Sequence, residues 1–279
     1  MYLSSSIPKS FICIRNALND AQGFSNATKQ YPQTLQKHYH SFWKKDISVD
    51  IVTLNQDITS YDLVMAPMLY MMSNETISKL ENYVANGGTL VSSYISGLVN
   101  ETDLAHLSGW PTSLKRIFGM GVKETDTLYP KDRNVLAYNG KQYEIKDYCT
   151  ILEAKEAEVL GTYMEDFYQG NPAVVKNSYG KGKAYFIGAR TEQAFLDDLY
   201  GDIQKEMNLQ VENEIVHEDG VSVQRRESDE HCYLFVMNFT EQKQSITVKE
   251  PLYDLLTEEI KQEHIELLPY EVMVLKKEK

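Results

Sequence analysis

One stretch limits the folds open to this chain more than any other: Tyr61-Asp-Leu-Val-Met-Ala-Pro67, followed after a helical interval by Asn86-Gly-Gly-Thr-Leu-Val91. Leu63, Val64, Met65 and Ala66 form a short apolar run cut by Pro67. Leu90, Val91 and Tyr94 form a second run, started by Gly87-Gly88. Apolar runs of roughly four to six residues bounded by Gly or Pro suit strands covered on both faces. Between them Ile77, Leu80, Tyr83 and Val84 fall at helical spacing, with Ser73 or Asn74 as N-cap and Gly87 as C-cap. The economical solution is a βαβ unit of a parallel sheet. Ligands of such sheets bind beyond the carboxyl ends of the strands, which directs attention to residues 67 to 73 and 94 to 103. Those segments carry no recognisable catalytic constellation.

The flanking sequence extends the same pattern. Residues 11 to 15 form a strand around Phe11-Ile-Cys-Ile14, and a loop follows through Asn19 to Gly23. Tyr31, Leu35, His38, Tyr39 and Phe42 then make a helical stripe, and Val49-Asp-Ile-Val52 is the second strand. Two successive βαβ units predict a doubly wound α/β layer with helices on both faces. After Tyr94 the rhythm breaks. Residues 96 to 134 contain Gly97, Gly109, Pro111, Gly119, Gly121 and Pro130, with Trp110 and a short helical piece from Ser113 to Phe118. So long an excursion usually covers a site or meets a partner. Residues 135 to 152 and 158 to 187 alternate as strands, with turns at Asn139-Gly140 and Gly180-Lys-Gly182, and a helix over about 191 to 208 closes the domain. From Glu214 the pattern is strands alone: Val221 to Arg226, Cys232 to Phe239, Gln244 to Val248 and Glu271 to Lys276. They predict a small antiparallel β-sandwich. The expected boundary lies at Gln210 to Asn213, giving domains 1–210 and 211–279.

Charge narrows the partners. The 28 Lys and Arg against 40 Asp and Glu leave a net charge of -12, which repels phosphate backbones and anionic lipid. No nucleic-acid or membrane partner is expected. No run approaches the roughly 18 to 20 apolar residues of a membrane span, and Met1-Tyr-Leu-Ser-Ser-Ser lacks the regions of a signal peptide. A soluble, cytoplasmic chain is expected. Cys13, Cys149 and Cys232 are far apart and lie in strand-like runs, as buried free thiols of a reducing compartment do.

Possible chemical motifs have plainer explanations. His38-Tyr-His40 imitates a metal pair, yet positions two apart on a helix point to opposite sides, so one histidine faces the sheet and the other solvent. Gly180-Lys-Gly182 lacks the rest of a phosphate-binding loop and reads as a hairpin turn. The adjacent acid pairs Asp197-Asp198 and Glu258-Glu259 are solvated faces. The 19 tyrosines could stack on sugars, but most lie in strand or helix patterns and are expected in the core or at interfaces. No catalytic residue, cofactor site or metal ligand is assigned.

Several segments together resemble a known family: Tyr61 to Tyr70, Asn86-Gly-Gly-Thr-Leu-Val91, Ser96-Gly-Leu-Val-Asn-Glu-Thr-Asp103, Leu107-Ser-Gly-Trp-Pro111, Leu114-Lys-Arg-Ile-Phe-Gly119 and Glu124-Thr-Asp126. In this order they are similar to the middle domain of the family 42 glycoside hydrolases, which are β-galactosidases. The β-rich tail resembles that family's small C-terminal domain. The resemblance implies a flavodoxin-like sheet akin to class I glutamine amidotransferases, and a homotrimer built by this domain. It also implies that the two glutamates of the family's reaction belong to an N-terminal (β/α)8 barrel, after which this chain would begin. A retaining glycosidase needs two carboxyl groups about 5 Å apart, and no acidic residue here corresponds to either. An active amidotransferase would carry a Cys on a glycine-flanked turn. Here the corresponding strand ends Val91-Ser-Ser-Tyr-Ile-Ser-Gly97, without Cys and without a Gly two residues before Ser96.

The expectation is therefore the non-catalytic oligomerisation and accessory portion of a β-galactosidase. Its partners would be a homotrimer or a barrel-containing chain, and the parent reaction the hydrolysis of terminal non-reducing β-D-galactosyl residues. A stand-alone carbohydrate-binding or regulatory module is the alternative, and an enzyme with a new site at the strand ends comes third. Leu98, Leu104, Leu107, Trp110 and Phe118 are the candidate interface residues, with Trp110 the aromatic anchor.

Overall fold

The structure is a computed structural model and describes residues 10–13, by backbone alone, together with 30–53, 55–107, 114–209 and 214–278. By their contacts the described residues form two units: those from Ser10 to Tyr39 with Asp50–Leu199, and His40–Val49 with those from Tyr200 onward. In chain order the first runs through β1 (Ser10–Cys13), α1 (Tyr31–Trp43), β2 (Val49–Val52), β3 (Leu63–Ala66), α2 (Asn74–Ala85), β4 (Thr89–Ser93) and α3 (Leu114–Phe118). It continues with β5 (Met120–Thr127), β6 (Asn134–Tyr138), β7 (Lys141–Ala154), β8 (Glu158–Tyr163), β9 (Pro172–Tyr179), β10 (Gly182–Ile187), β11 (Ala189–Thr191) and α4 (Gln193–Glu206). The two helices α1 and α4 end in the second unit.

Every residue of β3 and β4 is buried, as apolar runs without alternation require. They pair in parallel with Val64 opposite Leu90, and α2 lies between them in sequence. Ser73 caps α2 by accepting the Thr76 amide, and Ile77, Leu80, Tyr83 and Val84 turn inward onto Val64, Leu90 and Phe186. Each such side chain, fully buried, contributes about 1.5–3 kcal/mol relative to exposure. The helix stops at Asn86, and Gly87 takes φ 117°, which a side chain would strain.

The eleven-stranded sheet has the order β11-β7-β6-β8-β9-β10-β4-β3-β1-β2, with β5 on β7. Strands β1, β3, β4 and β10 are parallel where paired, whereas β5 to β9 and β11 join antiparallel. The layer is thus mixed: the parallel strands continue into antiparallel strands that include the hairpins expected at Asn139-Gly140 and Gly180-Lys-Gly182. The change is local: the Gly180-Lys-Gly182 turn folds β10 back on β9, and the strands beyond β9 in the sheet order all pair antiparallel. Gly180 supplies a φ of 60°. Gly182 is needed for space, because a Cβ there would come within 2.2 Å of the Val84 carbonyl oxygen. At Asn139-Gly140 both residues have positive φ, 47° and 74°, the turn chemistry that hairpins favour. The excursion from 96 to 134 is partly regular, holding α3 and β5. Strand β5 escaped sequence analysis because, at the rim of the sheet, half of its residues are exposed and the burial shows no clean alternation.

The second unit carries β12 (Ile215–His217), β13 (Val221–Glu227), β14 (His231–Asn238), β15 (Gln244–Asp254), β16 (Glu259–Leu267) and β17 (Val272–Glu278). They make one six-stranded antiparallel sheet, β12-β15-β17-β14-β13, with β16 on β15. The expected sandwich of two sheets is instead a single sheet that curls. The bend lies in β15, whose first half pairs with β12 while Tyr253 and Asp254 pair with β17, the register shifting between Val248 and Leu252. Pro251 sits in that shift and has no N–H for the ladder. Leu234, Val236, Ile246, Val248 and Leu275 fill the concave side. Strand β16 was unexpected because of its nine residues only Leu267 is buried, leaving a charged surface without alternation.

Candidate functional site

The carboxyl ends of β3 and β4 are where a parallel sheet displays function, and here they build a pinned loop. Met68 and Ile95 take positive φ, 48° and 66°. The Met68 amide donates to Ser93 Oγ at 2.9 Å and the Leu69 amide to Ser96 Oγ at 3.0 Å. Ser96 is fully buried and occupied with backbone, so it shapes the turn. The neighbouring residue of positive φ, Ile95, carries a side chain with no nucleophilic group.

Beyond this turn, Val99 bridges to Met71 and to Ala105. Asn100 Oδ1 accepts from the Thr102 amide at 2.9 Å and the Leu104 amide at 3.0 Å, and the Asn100 amide donates back to the Leu104 carbonyl at 2.8 Å. Tyr70 OH donates to Asp103 at 3.0 Å, and His106 Nε2 donates to the Met72 carbonyl at 3.1 Å. Burial, with the Asp103 hydrogen bond second, pushes the Tyr70 hydroxyl up to about 12, so it stays a donor. The outcome is a closed loop that holds Leu104 (64% exposed) and Leu107 (fully exposed) out to solvent. These leucines are among the large apolar side chains that the chain exposes.

Under the loop lies Arg190, 3% exposed. Its Nη1 donates to both oxygens of Asp147 at 2.9 and 2.8 Å, its Nε to Tyr94 OH at 3.0 Å, and its Nη2 faces Met68 Sδ at 3.7 Å. The guanidinium also lies 5.2 Å from the Tyr94 ring centre. Beside it a small cavity lined by Thr34, Lys37, His38 and Tyr94 has room for about one water. Burial, then the charge of Lys37, holds His38 down at about 3. The folded imidazole is therefore neutral, while the unfolded one takes a proton below about 6.5. Stability should fall as pH drops from about 6.5 towards 3, by about 1.4 kcal/mol per pH unit at most. Urea midpoints across that range check this, and His38→Leu should flatten the slope.

The expected residues are distributed as follows. Leu104 and Leu107 are exposed and close in the chain, Leu98 is half-buried against the Tyr94 and Val99 cluster, and Trp110 lies outside the described residues. Phe118 is fully buried on Phe186 with ring centres 5.2 Å apart, so it packs within its own chain. As anticipated, His38 is buried and His40 exposed. Cys149 and Cys232 are buried free thiols, and burial pushes Cys149 up to about 12. Tyr83, Tyr94, Tyr138, Tyr143, Tyr163, Tyr168, Tyr185 and Tyr200 belong to the core. No group of three or more metal-binding side chains occurs among the described residues, and none of their helices is long and apolar enough to cross a membrane. Sequence analysis missed Arg190 and Asp147, which lie 43 positions apart with nothing local to announce the pair.

This architecture defines the class: a mixed α/β domain whose strand ends carry a pinned, leucine-bearing loop, followed by a small curled β domain. Two family models match it, the beta-galactosidase trimerisation domain over residues 14–210 and the beta-galactosidase C-terminal domain over 220–277. Among curated relatives, beta-galactosidase GanA of Bacillus subtilis is 49% identical over 259 residues, covering 93% of this chain and 38% of the relative. Beta-galactosidase Pbg of Clostridium perfringens is 38% identical over 269 residues, covering 94% and 39%. A solved structure, a catalytic mutant of Gan42B, a GH42 beta-galactosidase from G. stearothermophilus, superposes with a TM-score of 0.91 at 49% identity, covering 98% of this chain and 40% of that one. The chain belongs to the family 42 glycoside hydrolases, of which it represents the trimerisation and C-terminal domains. It spans about two fifths of the length of the relatives it matches.

Proposed function

We propose that this chain is the non-catalytic oligomerisation and accessory portion of a β-galactosidase, self-associating as a homotrimer or assembling with a barrel-bearing chain of the same family. The parent reaction is the hydrolysis of terminal non-reducing β-D-galactosyl residues. The observation that carries the proposal is the loop from Asn100 to Leu107, which holds two leucines in solvent on a domain matched by a trimerisation model. Leu98, half-buried beside the loop, is assigned to the same candidate surface, and Trp110, named from the sequence, lies outside the described residues. The division at 1–210 and 211–279 is supported by the bounds of the two family models. A flavodoxin-like label for the first domain is supported by the strand order β2-β1-β3-β4-β10. A cytoplasmic location is supported by the two buried free thiols.

Light scattering tests the assembly. The purified chain should form a concentration-dependent trimer that tightens as salt rises from about 0.02 to 0.15 M, because screening relieves repulsion between chains of net charge -12 each. Monomer alone at about 100 μM under screened conditions overturns the trimer. Leu104→Asp with Leu107→Asp should shift the equilibrium to monomer, since a buried apolar anchor is worth over about 1 kcal/mol. A trimer indifferent to that pair removes the loop from the interface.

A further inference from the structure

Two edge strands of the curled sheet in the second unit, β12 and β13, are joined by one side chain. Strand β12 pairs with β15 and β13 pairs with β14, so the two are opposite ends of the sheet order although only three residues separate them in the chain. Asp46, which belongs by its contacts to the same unit, is 6% exposed and held at φ 59°. Its Oδ2 accepts from His217 Nε2 on β12 at 2.7 Å, and its Oδ1 accepts from the Val223 amide on β13 at 2.7 Å. One carboxylate thus holds both strands.

The protonation of His217 follows from its other nitrogen. Nδ1 lies 2.9 Å from the Glu218 carbonyl oxygen, which can only accept. Both ring nitrogens therefore face acceptors, and only the imidazolium donates to both; the neutral ring sets a lone pair against one oxygen. The charged groups around the ring agree. Asp46 approaches from the segment after α1 and Asp219 from the turn after β12. Strand β15 presents Ile246 opposite His217, and on β13 Arg226 is directed to Ser48 Oγ at 3.3 Å. The hydrogen bond to Asp46, ahead of the cost of burial, raises His217 above its ordinary value.

We propose that Asp46 and His217 form a protonation-dependent clasp that closes the seam of the curled sheet and opens as the imidazolium loses its proton. A raised folded-state value fixes the sign: the contribution is complete below about 6.5, where both states are protonated, and is lost as pH rises through the folded value. For one proton the unfolding constant changes by at most about tenfold per pH unit. Release uncovers the outer edge of β13, the kind of edge that recruits other strands.

The test uses the full chain between pH 5.5 and 9. Nuclear magnetic resonance should show the His217 ring, assigned by its loss in His217→Gln, protonated on both nitrogens at low pH and titrating above 6.5. Protection of the Val223 amide, corrected for intrinsic exchange, should fall as that titration proceeds, and in Asp46→Asn it should be independent of it. A His217 midpoint at or below 6.5 overturns the clasp, as does Val223 protection in the unsubstituted chain that ignores the titration. Both deciding measurements are made on that chain, so a variant that fails to fold does not rescue the proposal.

Discussion

Arg190→Ala is expected to cost the fold about 3–5 kcal/mol, the range for breaking a buried ion pair from one side. The guanidinium side chain is 4% exposed and its partner Asp147 29%, so the lower half of that range is the better expectation. The loss has two parts. Asp147 keeps a charge whose two hydrogen bonds are gone, and Tyr94, 3% exposed, loses the donor at its hydroxyl. Thr34 Oγ1 at 3.3 Å is then the remaining neighbour of that hydroxyl. Arg190→Lys should recover only a fraction, because an ammonium cannot reach the carboxylate and the phenol along a planar fork. Combining Arg190→Met with Asp147→Leu should cost less than Arg190→Ala alone, since no unpaired charge remains. Urea denaturation of the four proteins checks the series. A loss below about 1 kcal/mol for Arg190→Ala would show that the pair is solvated like a surface bridge. The loop should respond as well, since Arg190 supports Met68 and Tyr94 at the turn from which it departs.

Phe118→Ala should cost about 3–5 kcal/mol as well, through a cavity in the core. The ring is fully buried in the cluster of Leu114, Ile117, Met120, Leu152 and Phe186. The neighbouring groups are anchored in the sheet and in α3, so they can collapse only partly into the space. This separates a core role from the interface role first considered for Phe118. Stability should fall while association among folded molecules, measured by sedimentation under native conditions, stays as it was. Weakened association with stability unchanged would reverse the assignment.

Much of the first domain was legible because its signals are local. The apolar runs of β3 and β4, the stripe and N-cap of α2, and the Asn139-Gly140 turn each satisfy a backbone need within a few residues, and each lies where expected. Buried thiols and the opposed faces of His38 and His40 follow from the same periodicities. Strands β5 and β16 were not legible, since a strand at a rim buries few side chains and shows no alternation. The curl of the second sheet was equally hidden: Pro251 is visible in the sequence, but nothing there says that β15 changes partners across it.

What the sequence by itself determined is the set of segments that must be covered, where the chain must turn, and the family to which those segments belong. Only the tertiary structure decided which groups share a site. Arg190 meets Asp147 and Tyr94, and Asp46 meets His217 and Val223, across separations of 43 to 177 positions. The same holds for the choice of inside and outside in the excursion, where Phe118 is buried and Leu104 and Leu107 are exposed although all are apolar. Hydrophobicity drives burial without direction. Which side chain finds cover depends on the sheet and the pinned loop around it, and those exist only once distant strands have paired.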